Sequence, residues 1–102
     1  MTKRALRSSR FPVFTSLVRG YLHEDFPQVH GSVLAAVAAF CADASPDERR
    51  QLVRELETLV KWGATRPTRD VQSFVTKELG SRWEPASRDE ILEMLQAVRT
   101  ET

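Results

Sequence analysis

Ser45-Pro46-Asp47-Glu48-Arg49-Arg50-Gln51-Leu52-Val53-Arg54-Glu55-Leu56-Glu57-Thr58-Leu59-Val60-Lys61-Trp62-Gly63 is the stretch from which the fold can be read. It opens on a serine suited to cap a helix, followed by a proline whose missing N–H is not needed in the first turn. Glu48 then stands where a glutamate can return a hydrogen bond to the N–H of the capping serine. Leu52, Val53, Leu56, Leu59 and Val60 fall on one stripe at helical spacing, while Arg49, Arg50, Arg54, Glu55 and Glu57 fall largely off it. The helix is expected to end around Trp62-Gly63, where glycine can take the left-handed conformation. A segment this amphipathic must bury one face against other elements, which predicts a packed helical domain.

Working outward, residues 33–42 come before this helix and carry Val33, Leu34, Val37, Phe40 and Cys41 with four alanines between them. Ser32 can cap that segment. A helix apolar around its whole circumference is expected at the buried centre, with the others around it. Earlier still, Pro12 suits a helix start, and Phe14, Leu17, Val18 and Tyr21 make one apolar face. Pro27 pushes Phe26 toward an extended conformation, so the first helix should end within residues 23–27. Downstream, Thr68 can cap a helix with Val71, Phe74, Val75 and Leu79, closed by Gly80. Ser87-Arg88-Asp89-Glu90 has the pattern of a second capping box, leading into Ile91, Leu92, Leu95 and Val98. No alternating strand pattern of useful length and no internal repeat occurs. The prediction is an all-α, compact single-domain bundle of about five helices around a central apolar helix.

Length and composition fit one domain: 102 residues, 41% of them hydrophobic, with Cys41 the single cysteine. No internal disulfide is possible, which favours a reducing compartment such as the cytoplasm. No apolar run approaches the roughly 20 residues that span a bilayer, so no membrane association is expected. The net charge of +1 hides an asymmetry, because Lys3, Arg4, Arg7 and Arg10 leave −3 on residues 11–102. Residues 1–10 read as a flexible basic arm and 11–102 as the helical domain. A mildly acidic body argues against direct nucleic-acid binding.

His23, Asp25 and His30, with Glu24 beside them, are the residues that could hold a metal or move protons. The simpler expectation is that His23 and Asp25 hydrogen-bond across the turn between the first two helices. Cys41 lies in the most apolar helix, where burial would raise its pKa and make it inert. Tyr21 is expected in the core with its hydroxyl on a polar partner, and Trp62 and Trp83 are expected to close the core. With no nucleophile–base pair and no phosphate-binding glycine loop, no enzyme activity and no cofactor or metal is expected.

Phe14-Thr15-Ser16-Leu17-Val18-Arg19-Gly20-Tyr21-Leu22-His23-Glu24-Asp25-Phe26, followed by Gly31-Ser32, resembles the N-terminal signature of contact-dependent growth inhibition immunity proteins. That signature is an apolar helix running into Tyr-x-His-x-Asp-aromatic, then Gly-Ser and an Ala-rich helix. The matching positions are Tyr21, His23, Asp25, Phe26, Gly31 and Ser32, and Ser45-Pro46-Asp47-Glu48 matches the family's next landmark. Phe26 stands where tryptophan is common and Glu24 where glutamine is common. The resemblance covers about residues 11–62.

The resemblance implies a bacterial protein that binds a cognate toxin domain, the C-terminal part of a large effector delivered by a neighbouring cell. It would neutralise that domain in the cytoplasm by covering its active site or another surface it needs; separately, no apolar stripe is left over in the sequence, so a monomer is expected when free. Such toxins are often nucleases with basic grooves, which acidic groups would complement. The candidate toxin-binding residues are therefore Glu24 and Asp25 at the first turn, Asp43, Asp47 and Glu48, and Glu84, Asp89, Glu90 and Glu93. Each acid near a helix start also has a local reason to be there, since negative charge suits the helix dipole. The alternative is a small helical DNA-binding or adaptor domain, for which Arg69, Gln72, Lys77 and Glu78 would have to supply a recognition face.

Overall fold

The computed structural model describes residues 6–22 and 31–101, and the structural statements below concern those residues. A turn of 3-10 helix, Ser8–Arg10, leads into α1 (Pro12–Gly20); α2 is Val33–Asp43 and α3 is Pro46–Gly63. α4 (Thr68–Ser73) runs on as a π-helical turn, Phe74–Glu78, and α5 is Arg88–Glu101. The described residues contain no strand, and the Cα radius of gyration of 12.8 Å matches the ~13 Å of a folded domain of this length. No helix among them is long and apolar enough to cross a membrane.

Leu52, Leu56 and Leu59 of α3 are buried, as their spacing predicts, and Ser45 and Glu48 form the reciprocal capping box. α3 is also the element on which α1, α4 and α5 pack, while α2 packs mainly on α5. The expectation of a central apolar helix is thereby corrected. α2 buries one face (Ala36, Val37, Phe40, Cys41) and leaves Leu34 46% exposed, with Ala35, Ala38 and Ala42 on the outside. Alanine offers so little apolar area that leaving it in water costs little, so a helix can look apolar all round without being enclosed.

Several local expectations are also corrected. α1 ends at Gly20, before the 23–27 stretch expected to stop it. Gly63 is not left-handed; Gly31 (φ +87°) and Gly80 (φ +72°) are the glycines with positive φ. Gly63 is required for space, because a Cβ there would lie 2.8 Å from Val71 Cγ2. Pro67, not Thr68, is the N-cap of α4. Before α5, Glu90 reaches past Ser87 to the N–H of Ala86 (2.7 Å), and its own N–H bonds the Ser87 carbonyl (3.2 Å), so the second capping box is displaced by one residue. The described part of the basic arm folds onto the domain, with Ser8–Arg10 in a turn and Leu6 packed against the core.

Candidate partner-binding surface

His23, Glu24, Asp25 and Phe26, with His30, lie outside the described residues. Of the motif residues, Tyr21, Gly31 and Ser32 are described. Tyr21 is the C-cap of α1; its ring meets Phe40 edge-on at 5.4 Å, and its hydroxyl donates to the Asp43 carboxylate. That hydrogen bond raises the Tyr21 pKa above its ordinary value, with burial and the charge of Asp43 adding to it. Gly31 supplies the left-handed residue before α2, and the Ser32 hydroxyl oxygen accepts from the N–H of Ala35 (3.1 Å).

The acidic candidates divide by what they already do. Asp43 holds Tyr21, Glu48 accepts from the N–H of Ser45 (2.9 Å), Glu90 accepts from Ala86, and Asp47 pairs with Arg50 on the surface. Glu84, Asp89 and Glu93 are exposed and make no hydrogen bond or ion pair among the described residues. The acids around the start of α3 (Asp43, Asp47, Glu48) and those around the start of α5 (Glu84, Asp89, Glu90, Glu93) do not form one patch. Arg88, at the start of α5, reaches the end of α3, so Asp89 lies near the last turn of α3 while Glu48 lies in its first. At ~1.5 Å per residue, about 22 Å of helix separates Glu48 from Gly63.

Three charged side chains, of which Glu55 and Arg49 were expected off the apolar stripe, close helix ends. Glu55, expected off the apolar stripe, is 3% exposed. Its carboxylate accepts from the N–H groups of Val13 (3.2 Å) and Phe14 (2.7 Å) and from Gln51 Nε2 (3.0 Å). Phe11, the N-cap of α1, has no capping side chain and Pro12 has no N–H, so Glu55 caps α1 from another helix. Arg49 donates to the carbonyls of Cys41 (3.0 Å) and Ala44 (2.9 Å) at the end of α2. Arg88 donates to Gly63 (3.1 Å), Ala64 (3.0 Å) and Arg66 (3.1 Å) at the end of α3, a cation placed where the helix dipole favours one.

Between α3 and α5 the surface opens into a groove. Its deeper part is a hollow of about 250 Å³ whose lining includes Leu59, Val60, Gly63, Val71, Arg88, Asp89, Ile91 and Leu92. It continues into a more open trough bordered by Glu57, Val60, Lys61, Leu92, Leu95 and Arg99. Val60 and Leu92 belong to both parts, and Leu92 is 37% exposed. Glu57 and Arg99 pair across the trough.

Elsewhere, Cys41 is buried, and burial raises its thiol pKa, with the charge of Glu101 adding and that of Arg49 opposing. Trp83 is buried. Trp62 is half-buried against Phe74, with the Arg66 guanidinium 4.6 Å above its ring. Gln72, part of the face a DNA-binding reading needs, donates to the Pro85 carbonyl (2.8 Å) and ties α4 to the following loop. Among the described residues, no cluster of three or more His, Cys, Asp or Glu side chains could hold a metal ion.

Comparison with known proteins gives two findings. The family model described as CdiI immunity protein matches residues 10–102. The structure is similar to one chain of the crystal structure of a CdiA-CT/CdiI complex from Y. kristensenii 33638, with a TM-score of 0.73 at 21% identity. That match covers 87% of this chain and 98% of the other, and at this identity it speaks for the fold alone. No curated protein matches the chain.

Proposed function

Because the chain belongs to the CdiI immunity protein family, we propose that it neutralises a cognate contact-dependent growth inhibition toxin by binding the toxin's C-terminal domain in the cytoplasm. The observation that carries this reading is the family match, which spans the described helical body from residue 10 onward. The helical body, residues 11–102, is the binding unit, and the protein acts without catalysis by covering the toxin's active site or another surface it needs. If the toxin is a nuclease, its substrate groove is basic. Glu84, Asp89 and Glu93 are carboxylates not spent on the protein's own structure, and their field would attract such a groove and speed encounter.

The test is co-expression with the toxin C-terminal domain encoded by the neighbouring gene. Survival of the host and a one-to-one complex on size-exclusion chromatography are the expected results. Continued killing, with both proteins folded and no complex formed, would defeat the reading.

A further inference from the structure

We infer that the toxin domain is held at the α3–α5 groove, where one of its apolar side chains enters the hollow beside Leu92 while flanking basic groups meet Asp89 and Glu93. The inference rests on the immunity reading and deepens it by giving the contact a place and a chemistry.

The hollow has the size for such an anchor. At about 250 Å³ it falls below the ~300–1,000 Å³ of small-molecule sites, yet it gives room for one large side chain. Its floor is apolar, because Leu59, Val71 and Ile91 are buried beneath it. It is also held open. Gly63 puts no side chain into it, and the guanidinium of Arg88 is fixed on the three carbonyls that end α3, so that chain does not swing inward. A hollow already formed in the free protein spares the ordering cost that weakens soft interfaces.

Leu92 and Leu34 are the large hydrophobic side chains exposed among the described residues. Leu34 stands on α2 among alanines, whereas Leu92 forms the wall between hollow and trough. A partner side chain entering the hollow would bury Leu92 together with itself, and the apolar area so removed from water stabilises the contact.

Charge selects the occupant. Arg88 donates to neutral carbonyls and keeps its charge, while Arg99 pairs with Glu57. Asp89 and Glu93 are four apart on α5, hence on one side of the helix, and both are exposed. Asp89 lines the hollow, and residues 84–93 carry four carboxylates (Glu84, Asp89, Glu90, Glu93) against the one cation Arg88, so the start of α5 is net negative and suits a partner with basic groups there. Lys61 on the opposite rim suits a partner acid.

The experiment measures affinity for a catalytically inactive form of the neighbouring-gene toxin domain, with rescue from the active form, for Leu92→Arg, Leu92→Ala, Asp89→Lys with Glu93→Lys, and Leu34→Arg. Circular dichroism and urea denaturation confirm that each variant folds; Leu92→Ala keeps the question open to measurement should the arginine variant not fold. Leu92→Arg is expected to weaken binding by about 30-fold or more, the scale of a hot-spot residue, and to abolish rescue. The double charge reversal should slow association by roughly tenfold and reverse its salt dependence. Leu34→Arg should bind as wild type. If wild type binds and the Leu92 and charge variants bind equally well, the groove is not the interface, and the immunity reading stands without it. If wild type does not bind or rescue, both readings fall. If the isolated protein is a dimer that Leu92→Arg dissociates without loss of toxin binding, the groove belongs to a second copy and the inference is overturned.

Discussion

Glu55→Ala removes the acceptor at the start of α1, and its cost can be worked out group by group. Four residues open that helix, and three of them have an N–H to satisfy. The N–H of Phe11 bonds the Ser8 carbonyl (3.0 Å), Pro12 has none, and Val13 and Phe14 both donate to the Glu55 carboxylate. The truncation leaves the last two without a protein acceptor. A buried N–H without a partner costs about 1–3 kcal/mol, which applies in full to Phe14. Val13 costs less, because Glu55 borders an open hollow with Ser9, Arg10, Pro12 and Gln51 that water can enter. Loss of a negative charge at a helix N-terminus adds roughly 0.3–1 kcal/mol. Together these give about 2–4 kcal/mol, a large part of the ~5–15 kcal/mol that holds a domain folded. At about 4–8 °C per kcal/mol, Tm should fall by roughly 8–32 °C. Glu55→Gln keeps one acceptor oxygen and loses the charge, and should fall between wild type and alanine. Urea denaturation followed at the helical circular-dichroism band measures the change, with an unchanged m-value showing that the two-state comparison holds. Hydrogen exchange at the Val13 and Phe14 amides should accelerate more than at the other amides of α1. A Glu55→Ala protein within about 0.5 kcal/mol of wild type, the range of an ordinary surface substitution, would refute the argument.

The two helix-end glycines should respond in opposite directions. Gly63→Ala sets a Cβ 2.8 Å from Val71 Cγ2 and should cost about 1–3 kcal/mol as overpacking. Gly20→Ala meets nothing within 4 Å among the described residues and has no positive φ, so it should stabilise by roughly 0.4–1 kcal/mol in the same denaturation assay. Arg88→Met keeps the apolar stem but strips three carbonyls of their donor; a loss of about 1–3 kcal/mol is expected, read by denaturant midpoint. Tyr21 has a raised pKa in the folded state, so its contribution is complete below the phenol's ordinary pKa of about 10 and is lost as pH rises through the folded value. The stability difference between wild type and Tyr21→Phe should therefore be constant from neutral pH to mildly alkaline pH and shrink above it. Cys41, buried and with a raised pKa, should react slowly with iodoacetamide at neutral pH and quickly once urea unfolds the chain.

What could be read from the sequence was local. The capping box of α3, the start of α1 at Pro12 and the Ser32 cap of α2 are contacts within one turn, and spacing alone specifies them. What spacing could not show was reciprocity between helices. Glu55 lies three residues from Leu52 and four from Leu59, at the edge of the apolar stripe, where a glutamate can face either water or a neighbour. The available clue was at the other end of the contact. α1 begins at Phe11-Pro12 with no side chain able to cap it, so its donors had to be met from elsewhere in the fold. The place of α2 was misjudged for a different reason: counting apolar residues treats alanine like leucine, whereas packing follows area.

The same distinction explains why the partner surface was only half visible. In sequence Asp43, Glu48, Glu84, Asp89, Glu90 and Glu93 look alike, as acids near helix starts that would suit the dipole, whereas in the structure Asp43 is the last residue of α2 and Glu84 lies in the loop before α5. Side-chain geometry separates them: Asp43, Glu48 and Glu90 are bound to groups of this chain, and reversing any of them would perturb the fold as well as the surface. Glu84, Asp89 and Glu93 are free of that duty, and the last two flank the one exposed leucine that walls a preformed hollow. A charge scan that ignored this division would report loss of rescue at Glu48 or Glu90 and mistake instability for contact. Denaturant midpoints taken beside each rescue result separate the two, because a contact residue changes affinity at constant midpoint while a capping residue moves the midpoint first.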